Sequence, residues 1–186
     1  AIKKTTLDET QTIFDEFNIK FDSFNGEAYY EKFTPNYLKE LEQKNISQVG
    51  EGGAIIVDLT PYGLTVCVLV SGAGYTLYPL RDIAAAVERE KEHNFDKLIY
   101  ITATEQIAHF KNVFKIVELL GYKTSQKLEH IAYGRYSLED GKLSSRYGAK
   151  ALLKDILTEA KLRAKNAIIE KGKVEGDITD LSKKIG

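Results

Sequence analysis

Hydrophobic residues recur along this chain with two different periods, and each period predicts one kind of element. Short apolar runs rich in β-branched residues predict buried strands at 54–59, 66–70 and 98–101, and further strands are predicted at 19–24 and 130–136. Apolar residues spaced three and four positions apart predict helices at about 6–17, 34–43, 81–93, 104–120 and 150–171. The chain is therefore expected to mix strands and helices along its whole length.

The order of these elements favours one class of fold. The strand at 98–101 is followed by a helix and then by the strand at 130–136. A strand, a helix and a second strand in this order favour a parallel sheet with right-handed crossovers. The predicted fold class is α/β, with a glycine-bounded loop from Gly141 to Gly148 before the last long helix.

Composition bounds the size of the fold and its partners. The 186 residues suit one domain or one domain with an appendage, and 43% hydrophobic residues are enough to bury a core. Lys and Arg number 26 and Asp and Glu 27, so the net charge of −1 creates no global field for nucleic acid. Residues 142–173 carry nine Lys or Arg against three Asp or Glu, a local excess of six positive charges. That excess fits a solvated helix face as well as a nucleic-acid contact.

Cysteine usage and hydropathy indicate the compartment. Cys67 is the single cysteine, lies in an apolar run and is expected to be buried. A reducing, cytoplasmic location is the expectation. No apolar stretch approaches the roughly 20 residues that span a bilayer, so no membrane association is predicted. The first residues lead into a polar helix rather than into the apolar core of a signal peptide.

Common catalytic and nucleotide-binding motifs are absent from the sequence. The glycines near Lys142 lack the spacing of a P-loop, and Gly72 and Gly74 lack the third glycine of a dinucleotide fingerprint. The three histidines are scattered and have no cysteine partners, so no metal site is expected. No serine occupies a nucleophile elbow of the Gly-x-Ser-x-Gly type.

The loop Lys142-Leu143-Ser144-Ser145-Arg146 is the remaining candidate for chemistry. Two cations and two hydroxyls lie between glycines, after a strand and before a helix. Such a loop can fold over a triphosphate, because lysine supplies positive charge and the hydroxyls and backbone supply donors. The same composition also suits an ordinary surface turn.

Three segments resemble one known family, the class I arginyl-tRNA synthetases. Residues 142–146 are similar to the KMSKS loop of class I synthetases in the Lys-Leu-Ser-x-Arg form of the arginyl enzymes. Residues 76–86 resemble the family's Tyr-x-x-Arg-Asp-x-Ala motif, and residues 105–110 resemble its Glu-Gln-x-x-His-Phe helix start. The segment 21–27 also resembles a family segment. The similarity extends over essentially the whole chain.

The resemblance implies a more specific fold than the pattern alone. It implies the second half of a Rossmann-like parallel-sheet nucleotide-binding domain with a helical C-terminal extension. Residues 1–52 would form a connecting insertion, residues 53–148 the second half of the catalytic domain, and residues 149–186 the start of a helical tRNA-binding region.

An arginine site follows from the same resemblance. Residues that match Tyr78, Asp82 and Gln106 line the amino-acid site of the family. Asp82 would pair with the substrate guanidinium, and Tyr78, four positions earlier on the same helix face, would orient the substrate. The alternative for Asp82 is an ion pair with Arg81 or Arg89 on a solvated helix.

The resemblance also assigns the loop and the substrates. Lys142, Ser144, Ser145 and Arg146 would be catalytic, and Lys142, Ser144 and His109 would bind ATP. ATP with Mg²⁺ is expected as a substrate, with no tightly bound cofactor. The implied activity is that of an ATP-dependent arginine–tRNA ligase, with arginine, ATP and tRNA as partners and a monomer as the expected state.

Departures from the family pattern keep other functions open, among them Ser-Gly-Ala-Gly at 71–74 where the family has Asp-Gly and Ala103-Thr104 where it has Val-Gly. The family's HIGH motif has no counterpart here, and Ser145 occupies the position of the second lysine of KMSKS. The chain alone is therefore expected to be catalytically inactive. The alternatives are a non-catalytic synthetase-like fragment that acts as a binding or regulatory module, and an unrelated nucleotide-binding module without preference for arginine.

Overall fold

A computed structural model describes residues 10–134, 153–172 and 177–185 of the chain. The chain divides into two compact units. One comprises residues 22–135, and the other comprises residues 1–21 together with residues 136–186.

The unit of residues 22–135 holds most of the regular structure. Its helices are α2 (Glu27–Tyr30), α3 (Thr34–Gln43), α4 (Tyr78–His93) and α5 (Ile107–Leu119), and its strands are β1 (Gln48–Val49), β2 (Ile55–Val57), β3 (Cys67–Val70), β4 (Leu98–Ala103) and β5 (Leu128–Tyr133). Short 3₁₀ turns lie at Glu31–Phe33, Glu51–Gly53, Thr60–Tyr62, Thr104–Gln106 and Lys123–Lys127. Most of the helices and strands coincide with the two hydrophobic periods of the sequence.

The strands form two small sheets of different type. β4 and β5 are parallel, with Leu98 opposite Leu128 and α5 as the connecting helix between them. β1, β2 and β3 form an antiparallel sheet in sequence order. Only nine residues separate β2 from β3, which is too short for the helical crossover that parallel neighbours need. The parallel pair and the helices around it confirm the predicted α/β class.

Helix α4 lies at the centre of the core. Leu80, Ile83 and Val87 are almost fully buried on one of its faces. They pack in a cluster with Leu41 of α3, Leu69 of β3 and residues of α5. Each such side chain contributes about 1.5–3 kcal/mol through burial, so this cluster fixes the rotation of α4 in the fold.

Cys67 is part of the same core. Its side chain is buried at the start of β3, as the apolar run predicts. Burial raises the pKa of the Cys67 thiol to about 11, so the thiol stays protonated near neutral pH.

The parallel pair has one covered face and one open face. Tyr100 on the covered face packs on Phe110 of α5, with ring centroids 4.7 Å apart. On the opposite face Ile101, Ile131 and Tyr133 are 66%, 46% and 54% exposed. Parallel sheets are normally covered on both faces, so this open apolar face is unusual.

The other unit is helical in its described part. α1 covers residues 10–16, α6 spans Leu153–Lys171 and α7 spans Ile178–Ile185. α6 packs on α7, where Ile168 and Ser182 are buried. Lys161 of α6 forms an ion pair with Glu16 of α1. No helix in the described ranges is both long and apolar enough to cross a membrane.

Two sequence-based expectations about elements need correction. No strand forms at 19–24, although polar and apolar residues alternate there. Alternation alone does not supply a pairing partner, and Phe21 instead makes an edge contact with Phe14, at 4.8 Å between ring centroids. The last strand begins at Leu128 rather than at 130 and ends at Tyr133. The loop 141–148 lies outside the described residues, and the domain boundaries at 52 and 148 remain predictions.

Gly72 lies in the turn that follows β3. An isolated antiparallel bridge between Val70, the last residue of β3, and Thr76 closes this turn. A Cβ atom at Gly72 would overlap the carbonyl oxygen of Gly52. The close approach of these two backbones therefore requires a residue without a side chain.

We predict that Gly72→Ala destabilises the chain by about 1–3 kcal/mol, because the two backbone segments must separate to admit a methyl group. The measurement is urea unfolding of the chain. Gly134→Ala is the matched control, since a Cβ atom there meets nothing within 4 Å. Equal stability of the two variants would contradict the close approach.

Candidate functional site

The start of α4 presents two of the residues that the sequence assigns to substrate binding. The chain enters from Leu77 in an extended conformation, and Pro79 lies in the first turn, where its missing N–H is not needed. Tyr78 and Asp82 are four residues apart and share one face. Tyr78 is 63% exposed, whereas the Asp82 side chain is 24% exposed. The aspartate is thus partly enclosed, and the tyrosine ring lies open to solvent.

Asp82 contacts a histidine that the sequence analysis assigns elsewhere. The His109 Nε2 atom lies 2.7 Å from Oδ2 of Asp82, and both side chains are 24% exposed. His109 belongs to the first turn of α5 and makes an edge contact with the Phe110 ring. Its ring nitrogen donates to the carboxylate when Nε2 carries the proton. The beginnings of α4 and α5 are therefore joined directly.

Gln106 is the third predicted arginine-site residue. It ends the 3₁₀ turn Thr104–Gln106 and caps the start of α5, three residues before His109. Its side chain is exposed. Within the described ranges no hydrogen bond joins Gln106 to Tyr78 or Asp82. The fold places Gln106 and His109 at the start of the same helix. The role of Gln106 in arginine binding and that of His109 in ATP binding remain predictions.

Arg81 has partners that the sequence analysis does not foresee. Its Nη1 lies 2.8 Å from Oε1 of Glu27, and its Nε lies 3.1 Å from Oε2 of Glu31. Arg81 Nη2 donates to the Thr76 carbonyl oxygen at 3.1 Å, and the guanidinium carbon lies 4.9 Å from the centre of the Tyr78 ring. Glu27 Oε1 and Arg81 Nε are shielded from solvent. Glu27 Oε1 lies at ion-pair distance from Arg81 Nη1 and Arg81 Nε lies at ion-pair distance from Glu31 Oε2, in both cases without hydrogen-bond alignment.

Arg89, the other proposed ion-pair partner of Asp82, also lies elsewhere. Its guanidinium carbon is 4.9 Å from the centre of the Tyr30 ring and 5.9 Å from that of Tyr100. Burial opposes the charge of Arg89, but the phenol groups of Tyr100 and Tyr30 outweigh it and raise the pKa of Arg89. Burial raises the pKa of the Tyr100 phenol to about 12. Among the ion pairs of the described residues, none joins Asp82 to Arg81 or to Arg89. The solvated-helix alternative for Asp82 is therefore not what the structure shows.

The charges around Asp82 are predominantly negative. Glu27 and Glu31 pair with Arg81, and Asp82 contacts His109. Burial raises the pKa of the Glu27 carboxyl above its usual value, Arg81 partly opposes this shift, and Asp82 and Glu31 add to it. Three carboxylates beside one permanent cation favour the approach of a positively charged ligand.

Other predicted groups lie outside this arrangement. Lys142, Ser144, Ser145 and Arg146 lie outside the described residues. The described residues contain no group of three or more His, Cys, Asp or Glu side chains that could hold a metal ion. The Asp82–His109 contact and the Arg81 ion pairs therefore define the candidate site in the described part of the chain.

Comparison with known families identifies the family to which the chain belongs. Residues 1–184 match the family described as tRNA synthetases class I (R), catalytic domain. The class is thus that of the class I aminoacyl-tRNA synthetases. Within this class, the chain belongs to the arginyl-tRNA synthetase catalytic-domain family.

Curated relatives agree with this family. The chain is 39% identical over 170 residues to an arginine–tRNA ligase of Halothermothrix orenii, covering 91% of this chain and 30% of the relative. It is 37% identical over 184 residues to an arginine–tRNA ligase of Clostridium perfringens, covering 99% of this chain and 32% of the relative. The chain thus spans about a third of the length of the curated relatives that it matches.

Solved structures support the fold. The arginyl-tRNA synthetase of Plasmodium falciparum aligns with 97% of this chain and 30% of its own, at a TM-score of 0.75 and 22% identity. The arginyl-tRNA synthetase of Thermus thermophilus aligns with 98% of this chain and 38% of its own, at a TM-score of 0.69 and 19% identity. These structures show that the architecture is the same.

We predict that Asp82 and His109 are energetically coupled. A double-mutant cycle with Asp82→Ala and His109→Ala, measured by urea unfolding, should give a coupling of about 0.5–1.5 kcal/mol for this partly exposed hydrogen bond. Lys115 and Glu118, which form an ion pair within α5, provide the control pair, since the Glu118 side chain is 59% exposed. Their coupling should be below about 0.5 kcal/mol. A value for Asp82 and His109 no larger than the control would contradict the contact.

Proposed function

We propose that this chain provides the arginine-binding part of an arginine–tRNA ligase. The observation that carries the proposal is the position of Asp82. It is a partly enclosed carboxylate in acidic surroundings, at the start of α4, held by His109 and four residues from the exposed ring of Tyr78. A guanidinium is planar and always charged, so its binding site needs a carboxylate together with flat or neutral neighbours.

The proposed reaction has two steps. The carboxylate oxygen of arginine attacks the α-phosphorus of ATP, pyrophosphate leaves, and arginyl-adenylate forms. A ribose hydroxyl at the end of the tRNA then attacks the arginyl carbonyl carbon, loses its proton, and AMP leaves. In both steps the protein would act chiefly by positioning the reactants and stabilising charge that develops at phosphate oxygens.

The geometry suggests how Asp82 would accept the substrate. Oδ2 is engaged by His109. A carboxylate accepts through both of its oxygens, so Oδ1 can accept from a substrate guanidinium while His109 holds the group in place. His109 would thus orient Asp82. The role in ATP binding predicted for His109 from the sequence remains a separate proposal, and Gln106 would face the same substrate from the start of α5.

The ATP-handling part of the proposal rests on the sequence. Lys142, Ser144, Ser145 and Arg146 would contact the phosphates of ATP, with Mg²⁺ carried by the nucleotide. Because Ser145 stands at the second lysine position of the family motif, Lys142 would supply most of the positive charge together with Arg146.

The remaining parts of the proposal concern the rest of the synthetase, the tRNA, the oligomeric state and the compartment. The chain covers about a third of its curated relatives, and the face formed by Ile101, Ile131 and Tyr133 is open. We propose that other residues of a larger synthetase cover this face, as they would in a complete parallel sheet. Residues 149–186, which overlap the positively charged stretch 142–173, would begin the tRNA contact. We also propose that the enzyme is monomeric and acts in the cytoplasm.

The substitution Asp82→Asn tests the arginine site. It preserves shape but removes the negative charge, so arginine binding should weaken by about 3–5 kcal/mol, roughly 10²–10³-fold or more in affinity. ATP affinity should not change. The measurement is arginine and ATP binding by titration calorimetry, in a full-length arginine–tRNA ligase that contains this chain.

Two controls accompany this substitution. Asp96→Asn makes the same chemical change at an exposed position beyond the other end of α4 and should leave arginine binding unchanged. The Asp82 variant should also discriminate less strongly between arginine and citrulline, whose side chain ends in a neutral urea. Equal arginine affinity in the wild type and the Asp82 variant would remove Asp82 from the site.

The substitution Lys142→Ala tests the proposed ATP loop in the same full-length enzyme. The single-turnover rate of adenylate formation should fall by about 10²–10³-fold, the loss typical of one removed charge-stabilising donor. Arginine affinity should change little, because the lysine would act on charge that develops in the transition state. An unchanged single-turnover rate would count against the loop assignment.

A further inference from the structure

A small cleft lies beside the first turns of α5, on the side of the helix that carries Lys111. Its opposite wall is the segment of residues 63–65, which leads from the turn Thr60–Tyr62 towards β3. The cleft has a volume of about 220 Å³. Sites for small molecules measure about 300–1,000 Å³, so this cleft is too small for a whole nucleotide and suits a single group, such as a phosphate, of a longer ligand.

The inner wall of the cleft is polar and is held by a hydrogen bond. Asn112 is only 7% exposed, and its Nδ2 donates to the Thr65 hydroxyl oxygen at 2.9 Å. A buried amide is costly unless it is hydrogen-bonded, so this contact fixes the segment 63–65 against α5. The O–H hydrogen of Thr65 has no acceptor among the described residues and is available to a ligand at the mouth of the cleft.

Two lysines lie on this side of α5, and they differ in their partners. The ammonium group of Lys115 lies 2.9 Å from the Glu118 carboxylate and 4.3 Å from the centre of the Tyr62 ring. Lys111, one turn earlier, is exposed and forms no ion pair with any residue in the ranges 10–134, 153–172 and 177–185. The charge of Lys115 is thus offset by Glu118, whereas that of Lys111 is uncompensated. An ammonium group with three donors and no carboxylate partner favours an anionic ligand.

The cleft lies close to the candidate site along α5. His109, which contacts Asp82, precedes Lys111 by two residues, or about 3 Å along the helix axis. The two side chains point in directions about 200° apart, so Lys111 lies on the outer side of the helix. β4 ends just before α5 begins, and ligands of open α/β sheets bind at this carboxyl end of the parallel strands. A nucleic-acid strand that leaves the candidate site along the outside of α5 therefore passes Lys111.

We propose that Lys111 and the Thr65 hydroxyl bind a backbone phosphate of the acceptor strand of tRNA, where this strand leaves the candidate site. This inference rests on the proposed function. A polynucleotide presents its phosphates one at a time with one negative charge each, which matches the single uncompensated lysine. A triphosphate carries several negative charges on adjacent groups and does not match a cleft of this size. The contact would position the RNA without reading its sequence.

The expected effect follows from the release of counterions from the RNA. Each phosphate that a protein neutralises contributes about 0.7–0.9 to the steepness with which log affinity falls against log salt concentration. Loss of Lys111 should therefore make this slope for tRNA binding shallower by about the same amount. The affinity advantage of the wild type over the variant should shrink about threefold between about 50 mM and about 200 mM salt.

The substitution Lys111→Ala tests the contact in a full-length arginine–tRNA ligase that contains this chain. Filter binding of tRNA at a series of salt concentrations measures the slope, and titration calorimetry with arginine reports that the variant is folded. Lys111→Arg keeps the charge and should retain the wild-type slope. Lys97→Ala is the matched control and should also leave the slope unchanged, because Lys97 precedes β4 at the amino end of the parallel pair and is paired with Glu129.

Titration with inorganic phosphate separates an RNA contact from a site for free anions. Phosphate binding that depends on Lys111, together with an unchanged slope for tRNA, would show a free-anion site and overturn the RNA contact. Failure of the wild-type enzyme to bind arginine and tRNA would refute the proposed function. A wild type that binds both, with the same slope as the Lys111→Ala variant, would refute only this inference.

Discussion

Burial of one face of α4 sets the positions of the groups in the candidate site. Leu80, Ile83 and Val87 pack against α3, α5 and β3. An α-helix turns by about 100° per residue, so fixing this apolar face also fixes Tyr78 and Asp82 on the remaining one. The helix cannot rotate to move Asp82 without exposing the core. Core stability and site geometry therefore depend on the same packing.

The second constraint is electrostatic. Burial raises the pKa of Glu27, Arg81 opposes this shift, and repulsion from Asp82 and Glu31 adds to it. Arg81 lowers this repulsion through its two ion pairs, and His109 adds a hydrogen bond to Asp82. Paired carboxylates of this kind are costly to leave without a partner. The internal cation thus allows an acidic site to exist before a cationic ligand arrives.

Local spacing made part of this site predictable. The four-residue interval between Tyr78 and Asp82 is enough to place both on one helix face, and β-branched runs correctly indicated β2, β3 and β4. The contact of Asp82 with His109 joins residues 27 positions apart, and that of Arg81 with Glu27 spans 54. Tertiary packing decides such pairs, and no local pattern reveals them. The false strand at 19–24 shows the same limit, because a strand needs a partner as well as alternation.

Arg81 bears on the proposed recognition of a guanidinium, which would need more than a carboxylate. A protein site that attracts arginine also attracts any arginine of its own chain within reach, and the tethered group has the advantage of high effective concentration. Exclusion can be achieved by removing the internal cation or by giving it stronger partners. In this chain Arg81 has partners of its own, because it forms ion pairs with Glu27 and Glu31. They retain a positive charge that stabilises the acidic cluster, and the guanidinium of Arg81 also lies over the Tyr78 ring.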